Sequence, residues 1–210
     1  IPIIFKKNGL PIERELNNRF ENLKTLLRDG ETYFFIESPG GKACNILMTS
    51  GLSEYEMVVE DSQAQKTHKE LYFLLPDYWS RDVIDQKKYD WLFETLYKLK
   101  CHVVAQNTFY AEGHTMHANK NLTALSDQLK QTYLMLCNPI YVNDELTPII
   151  IGSKEISFLG VFPIFRNEFH HKQAYGTKKL MDLFDGYQVT EKLDEYRTNL
   201  VKSRWRRLFG

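Results

Sequence analysis

The stretch ELYFLLP, residues 70–76, is the segment from which the rest of the fold can be built outward. Five apolar residues follow Glu70 without interruption before Pro76. A short apolar run of this kind, bounded by a proline, is typical of a strand that is buried on both faces of a sheet. We therefore predict that residues 70–76 form a central strand.

Four other segments are rich in the residue types that favour strands. They are ETYFFIE (31–37), ACNILMTS (43–50), TYLMLCNPIYV (132–142) and ISFLGVFPIF (156–165). The first two flank SPGG (38–41), whose composition is typical of a turn, so residues 31–50 are predicted to form a hairpin. Pro139 and Pro163 lack a backbone donor, so each is expected at an edge, a bulge or a strand end.

Helices are predicted where apolar residues recur at intervals of three and four. The predicted helices cover residues 12–29, 86–100 and 169–186, with a short helix near 190–196. The segment CHVVA (101–105) is compatible with a strand or with the chain returning to the core. Because strands and helices mix without regular β-α-β alternation, the sequence predicts an α+β fold. We expect a single domain in which helices pack on a largely antiparallel mixed sheet.

The composition is that of one globular domain covering residues 1–210. Hydrophobic residues make up 43% of the chain, and 27 basic residues balance 27 acidic residues. A chain without net charge lacks a general attraction for nucleic acid or for an anionic membrane, so neither partner is expected. The apolar runs are also too short to span a membrane. Three scattered cysteines, Cys44, Cys101 and Cys137, form no disulfide framework, which favours a cytoplasmic location.

The motifs for common catalytic and cofactor sites are incomplete. GGK (40–42) is similar to the end of a phosphate-binding loop. However, Ile36 stands where that loop needs its first glycine, and Ala43 stands where it needs serine or threonine. Cys101 and His102 are adjacent, so on a strand their side chains would point to opposite faces and could not form a catalytic pair. No cofactor is predicted.

The stretch AEGHTMHANKN (111–121) holds His114 and His117, three residues apart. Zinc needs three or four ligands, and the other closely spaced histidines are distant in the sequence. We therefore predict no metal site and a structural role for His114, with its ring hydrogen-bonded to backbone or to a carboxylate. An enzyme built on this region would need a second titratable group, such as Glu112 or Asp77, within reach of His114.

Six segments together, in this order and spacing, form a recognisable pattern. They are ILMTSGLSEYEM (46–57), ELYFLLPDYW (70–79), YDWLFETLYKLK (89–100), EGHTM (112–116), ISFLGVFPIFRNEFHHKQAYGTKKLMDLF (156–184) and VTEKLDEYRTNLVKSRW (189–205). The pattern resembles the Suppressor of fused (SUFU) domain family. The matching residues are Gly51, Pro76, Trp79, Trp91, Gly113, His114, Thr115 and Pro163. The resemblance covers residues 43–210, and residues 1–42, with a predicted N-terminal helix and first strand, match least.

The resemblance implies a binding protein and not an enzyme, with Gly113–His114–Thr115 as a structural element. The animal member of the family sequesters a transcription factor, and several bacterial one-domain relatives resemble immunity proteins or antitoxins. We therefore predict a bacterial, cytoplasmic immunity protein or antitoxin that neutralises a cognate toxin by direct complex formation. One alternative is a scaffold or regulator that captures a partner peptide by strand addition. Another is an enzyme that uses the His114 region.

The predicted toxin contact is the acidic and aromatic stretch SEYEMVVED (53–61). Acidic groups can mimic the phosphates of a nuclease substrate, and tyrosine and methionine are favoured at protein interfaces. The candidate contact residues are Glu54, Tyr55, Glu56, Met57, Glu60 and Asp61. An ordinary solvated turn has the same composition, and both interpretations remain open at this point.

Overall fold

A computed structural model describes residues 10–57, 67–119, 123–127 and 129–201. Within these residues there are eight strands and five α-helices. The strands are β1 (Leu23–Arg28), β2 (Glu31–Glu37), β3 (Cys44–Thr49), β4 (His68–Pro76), β5 (Thr115–His117), β6 (Tyr133–Cys137), β7 (Ile149–Ile151) and β8 (Lys154–Ile164). The helices are α1 (Pro11–Arg19), α2 (Arg81–Ile84), α3 (Asp90–Ala105), α4 (Arg166–Tyr175) and α5 (Thr177–Gly186). In this part of the chain, no helix has the length and apolar character needed to cross a membrane.

All eight strands belong to one sheet, in the order β1-β2-β3-β4-β8-β6-β5, with β7 paired to β8 beside this path. Six of the seven strand pairs are antiparallel, and only the pair of β4 with β8 is parallel. The prediction of a single α+β domain with a largely antiparallel mixed sheet is therefore confirmed. Because β5 and β1 end the sheet, each of them has one edge that no described strand covers.

The central position predicted for residues 70–76 is also confirmed. Strand β4 hydrogen-bonds to β3 on one side and to β8 on the other, and all nine of its residues are buried. The predicted hairpin of residues 31–50 is formed by β2 and β3, with Phe35 opposite Leu47. The turn between them, Pro39–Gly41, is a short 3₁₀ segment. Continuous apolar sequence thus identified the strands that have neighbours on both edges.

Helices cover both faces of the sheet. Alternate residues of β6 show this, because Leu134 and Leu136 pack in the cluster that contains α3, whereas Met135 packs in the cluster that contains α5. On the α5 side, a further cluster joins α1 to β2, β3 and β4. The sheet therefore lies between α3 on one face and α1, α4 and α5 on the other.

The predicted helix of residues 12–29 is wrong in its second half. Helix α1 ends at Arg19, and the chain turns to extended backbone at Phe20, where φ is −126°. Residues 23–28 then form the edge strand β1, in which Leu23 pairs with Ile36. The leucines of this segment also match a helical period, but hydrogen bonding to β2 decides its conformation and leaves Leu27 73% exposed.

Three further boundaries differ from the predictions. The segment 101–105 is the last turn of α3, not a strand. The helix predicted over 169–186 is two helices, because Gly176 adopts a φ of +88° between them. The helix predicted near 190–196 is absent, because this segment runs beside β4, where the Leu193 N–H donates to the Leu74 carbonyl at 2.8 Å. Only the last of these differences comes from a tertiary contact, which local periodicity does not reveal.

The two prolines lie where the missing donor is tolerated. Strand β6 ends at Cys137, before Pro139. Pro163 is the last but one residue of β8, opposite Leu134. Both positions agree with the expectation that these prolines mark strand ends.

Candidate functional site

Gly113 begins the turn that leads into β5. Its φ is +81°, which side chains other than glycine rarely adopt, and a Cβ at this position would lie 2.5 Å from Thr177 Oγ1. The Gly113 N–H donates to the Leu136 carbonyl at 2.7 Å, which attaches the turn to β6. Gly113, His114 and Thr115 thus lie where a turn passes into β5.

His114 is held by its backbone and by a neighbouring ring. The Leu136 N–H donates to the His114 carbonyl at 2.8 Å, and the His114 ring lies 5.1 Å from the Phe109 ring. Burial lowers the pKa of His114, and the nearby charges of Lys172 and Lys69 lower it further. A hydrogen bond between the ring and the Phe109 backbone opposes this shift. The result favours a neutral imidazole.

The acids considered as catalytic partners of His114 are bonded elsewhere. The Glu112 carboxylate accepts a hydrogen bond from Asn138 Nδ2 at 2.9 Å, and the Asp77 carboxylate accepts one from the Tyr78 N–H at 3.0 Å. Within the described ranges, no group of three His, Cys, Asp or Glu side chains is arranged to hold a metal ion. The structure thus places His114 in a packing and hydrogen-bonding role.

The outer edge of β5 presents unused backbone groups. In an antiparallel ladder, alternate residues exchange both hydrogen bonds with the neighbouring strand. The His114 carbonyl accepts from the Leu136 N–H of β6, while the His114 N–H donates to the Ala111 carbonyl. The Ala118 N–H donates to the Thr132 carbonyl at 3.0 Å, so His114 and Ala118 are the positions bonded toward β6. By the same alternation, the N–H and C=O groups of Thr115 and His117 point away from β6. No described strand pairs with them.

An apolar groove of about 520 Å³ lies beside this edge, between α3 and β5. Leu99, Met116 and Leu134 supply apolar lining. Lys98 and His102, both on α3, supply polar lining. The complete lining is Thr95, Lys98, Leu99, His102, Met116, His117, Ala118, Asn119 and Leu134. A side chain from a strand added at β5 would reach this groove.

The opposite face of β5 is turned toward α4. The His117 ring lies 4.8 Å from the Tyr133 ring, which is stacked on the Phe169 ring at 4.1 Å. The Lys172 ammonium donates to Thr115 Oγ1 at 3.5 Å. Thr115 and His117 therefore face α4, whereas Met116 packs toward α3. The two faces of the edge strand differ in chemistry: one is an apolar groove, and the other is aromatic and basic.

Gly51 belongs to a turn organised by a buried carboxylate. Glu70 accepts hydrogen bonds from the backbone N–H groups of Gly51, at 3.1 Å, and Ser53, at 2.9 Å. Burial raises the pKa of Glu70, and hydrogen bonds from Thr49 and Ser53, together with the charge of Lys100, oppose that rise. The Gly51 φ of +84° allows this close approach of backbone to carboxylate.

The remaining residues of the family pattern also have structural contacts. The Trp79 ring packs against Tyr89 at 4.7 Å and Trp91 at 6.5 Å, directly after β4 ends at Pro76. The Pro163 carbonyl accepts a hydrogen bond from an Arg197 Nη2 at 3.0 Å. Trp79, Trp91 and Pro163 are thus held within the fold by ring packing or a hydrogen bond.

The stretch predicted as a toxin contact is only partly a surface. Glu54 and Glu56 are exposed, and Tyr55 is partly buried, with its hydroxyl donating to Asn107 Oδ1 at 2.8 Å. Met57 is 1% exposed and packs in the α3 cluster, so its inclusion as a surface contact is wrong. Apolar packing against this cluster buries the side chain, and its sulfur accepts the Tyr110 N–H at 3.5 Å. The last two candidates, Glu60 and Asp61, lie outside the described residues.

A second groove, of about 630 Å³ and polar, lies beside this stretch. It is lined by Glu54, Glu56, Thr67, His68, Ser153, Lys154 and Glu155. Glu54 makes an ion pair with Lys154 at 3.7 Å. Two glutamates of the predicted contact and Glu155 thus surround one concave surface.

Sequence reasoning did not identify Lys172 or the α3 groove. Lys172 lies 57 residues from Thr115 in the chain, and the groove joins a helix to two strands that follow it. Neither the charge count nor local periodicity carries a signal for such a contact. The buried acids Glu70, Glu168 and Glu191 were also missed; Glu70 and Glu168 each precede an apolar or aromatic residue, whereas Glu191 lies between Thr190 and Lys192.

Comparison with known proteins identifies the family. A profile of the Suppressor of fused protein (SUFU) family matches residues 30–198. The chain belongs to the SUFU family. The match extends from β2 into the segment that follows α5, and the eight single residues of the family pattern lie within it. No protein of curated function matches the sequence significantly.

The SUFU fold is also found among solved structures. A SUFU homologue from Neisseria gonorrhoeae has a TM-score of 0.64 at 14% identity, over 91% of this chain and 96% of its own. A structure of the Sufu–Fu complex has a TM-score of 0.63 at 13% identity, over 94% and 92% of the two chains. Drosophila Suppressor of Fused has a TM-score of 0.56 at 11% identity, over 85% of this chain and 43% of its own. At these identities, the likeness concerns the fold.

Proposed function

We propose that this chain is a protein-binding domain that captures an extended segment of its partner at the outer edge of β5. The observation that carries the proposal is the row of outward N–H and C=O groups at Thr115 and His117, beside an apolar groove. An added strand would satisfy these groups, and its side chains would enter the groove at alternate positions. That a SUFU protein occurs in a protein complex, the Sufu–Fu complex, supports a binding role.

The other edge strand is less suited to capture. Strand β1 carries Lys24 and Arg28, and Arg28 makes ion pairs with Asp85, at 2.8 Å, and with Asp90. Charged side chains along an edge are a common protection against pairing with another chain. Strand β5 has the sequence Thr-Met-His, without lysine, arginine or acid. The edge next to the apolar groove is therefore also the less protected one.

A role in binding agrees with the chemistry of the site. His114 is turned toward Phe109, and the nearby acids Glu112 and Asp77 bond to other groups. Binding by strand addition needs only exposed backbone and a pocket, and both are present at β5. We infer that the protein acts without catalysis and without a cofactor, in the cytoplasm.

The test uses a displayed library of decapeptides that covers the proteins of the source organism, selected on the wild-type protein. Selected peptides are then measured by fluorescence anisotropy against His117→Pro and Leu27→Pro. The first variant removes an outward N–H from β5. The second removes an outward N–H from β1. The Glu37 N–H donates to the Asn22 carbonyl, so by the alternation along β1 the N–H of Leu27 points away from β2.

Binding should weaken about tenfold or more in His117→Pro, since a lost backbone hydrogen bond and the strand distortion together exceed about 1.4 kcal/mol. Leu27→Pro should change affinity by less than about twofold, because β1 takes no part. His117→Ala separates loss of the ring from loss of the N–H. Equal binding by wild type and by a folded His117→Pro would refute capture at β5.

Neutralisation of a toxin is the second candidate function. The polar groove beside β7 and β8 favours it, because Glu54, Glu56 and Glu155 line one concave surface. Such a surface would suit a toxin whose active site binds phosphate. We propose that Tyr55 is an anchor of this contact, so Tyr55→Ala should weaken the complex by about 2 kcal/mol. Co-expression with toxins encoded in the same genome tests the idea, and growth inhibition by all of them would refute it.

A further inference from the structure

Lys172 on α4 is a partly buried ammonium next to the edge strand. Its only hydrogen bond among the described residues is the 3.5 Å contact with Thr115 Oγ1, and no carboxylate of these residues lies within ion-pair distance. Burial lowers the pKa of Lys172, and Lys172 in turn lowers the pKa of His114. A partly desolvated cation without a counter-ion is a favourable position for an incoming carboxylate.

The orientation of β5 decides which side chains of an added strand meet this cation. Thr115 and His117 face α4, and Met116 faces α3. Directly opposed residues in neighbouring strands place their side chains on the same face, and successive residues alternate. One set of partner side chains would therefore face Lys172, and the other set would face the apolar groove of Leu99 and Leu134.

We propose that the segment captured at β5 alternates acidic and apolar side chains, with a carboxylate against Lys172 and an apolar group in the α3 groove. The inference rests on the proposed strand capture and specifies the chemistry of its partner. It predicts that the domain selects acidic-apolar segments over neutral or basic segments of the same length.

The other titratable groups around β5 lie on α3, on α4 and at the start of the strand. On the α3 side, Lys98 is paired with Glu94 at 2.8 Å and contributes little net charge, while the exposed His102 has no carboxylate partner among the described residues. On the α4 side, the exposed His170 is 3.4 Å from Arg166 Nε. Near the start of β5, the acid is Glu112, which is bonded to Asn138. The Asn138 amide is neutral, so Glu112 keeps its negative charge; the cation that directly contacts the edge strand is Lys172, through Thr115.

The experiment compares three synthetic decapeptides in which leucine alternates with glutamate, glutamine or lysine. Their affinity for the wild-type protein is measured by calorimetry at low salt. The glutamate peptide should bind about tenfold more tightly than the glutamine peptide, and the lysine peptide should bind least. The advantage of glutamate should shrink at about 0.5 M salt, because screening weakens a partly exposed pair.

Two lysine variants identify the source of the preference. Lys172→Gln should remove most of the difference between the glutamate and glutamine peptides. The matched control is Lys178→Gln, on α5, where the lysine is 86% exposed and paired with Asp182. It should leave the difference unchanged.

The outcomes separate this inference from the proposed function. If none of the three binds but a library-selected peptide binds the wild type and is weakened by His117→Pro, capture is correct and the acidic-apolar inference is wrong. If no peptide of either set binds, capture at β5 is itself wrong. If all three bind equally and His117→Pro abolishes binding of each, capture is correct and the acidic preference is wrong. Tightest binding by the lysine peptide, or a glutamate preference that survives Lys172→Gln, also overturns the inference.

Discussion

Replacement of Arg197 by alanine should strongly destabilise the protein, because its guanidinium forms a buried pair with Glu168. Arg197 Nη1 lies 2.6 Å from Glu168 Oε1, and Nη2 lies 2.9 Å from Oε2. The side chains are only 6% and 0% exposed. The guanidinium also lies 4.8 Å from the centroid of the Phe165 ring. Arg197→Ala would leave a buried carboxylate with two backbone donors but without its cation.

Breaking a buried pair in this way typically costs about 3–5 kcal/mol, out of a total stability of about 5–15 kcal/mol. For a chain of this size, that loss corresponds to a fall in melting temperature of about 6–20 °C. Urea denaturation, followed by the fluorescence of the core residues Trp79 and Trp91, measures the free energy directly. The double variant Arg197→Met, Glu168→Leu should be less destabilised than Arg197→Ala, since no buried charge is then left alone.

The exposed pair of Lys178 and Asp182 is the control, with side chains 86% and 49% exposed. Lys178→Ala should cost less than about 0.5 kcal/mol, as is usual for a helical surface pair. If Arg197→Ala also costs less than about 1 kcal/mol, the Arg197–Glu168 pair does not hold the segment after α5 to the fold, and the reasoning fails.

Three other predictions follow from the site. Gly113→Ala should lower the free energy of unfolding by about 1–3 kcal/mol, because of the positive φ of Gly113 and the contact of the new Cβ with Thr177. Adding Thr177→Ala should recover only the part of the loss that comes from this contact. Urea denaturation of the single and double variants measures both parts. Stability should fall as the pH drops from about 7.5 to about 5.5. The pKa of His114 is lowered from 6.5 in the folded protein, so the unfolded chain takes up the proton first. In His114→Gln, the melting temperature should depend less on pH across that range. EDTA should leave the melting temperature unchanged, and stoichiometric zinc in the pure protein, lost together with folding on chelation, would contradict this.

The sequence predicted the strands that are paired on both edges better than the edge strands. Residues 70–76 and 156–165 are continuous apolar runs because the sheet and helices bury both of their faces. No residue of strand β1 is fully buried, and its leucines fit a helical period as well as a strand. Its conformation depends on pairing with β2, which local sequence does not show.

The candidate site could be predicted only in part. A structural role for Gly113 and His114 was predicted from a short glycine-led segment and from family resemblance, and it stays a prediction that the Gly113→Ala variant tests. The proposed capture surface could not be predicted from the sequence. It brings Lys172, on the helix that follows β8, to Thr115 on β5, and this contact depends on the sheet order β8-β6-β5. Met57 was predicted to lie at the surface because its sequence neighbours are polar. Polar neighbours do not show whether one side chain among them is buried, as Met57 is.

Amide hydrogen exchange of the complex with a selected partner peptide tests capture at β5 most directly. In the free protein, the N–H groups of Thr115 and His117 point away from β6 and should exchange rapidly. In the complex, these two amides should become strongly protected, while the amides of β1 keep their rates. Protection at Glu54 to Glu56, with no change at Thr115 and His117, would contradict strand capture and would place the partner at the acidic groove.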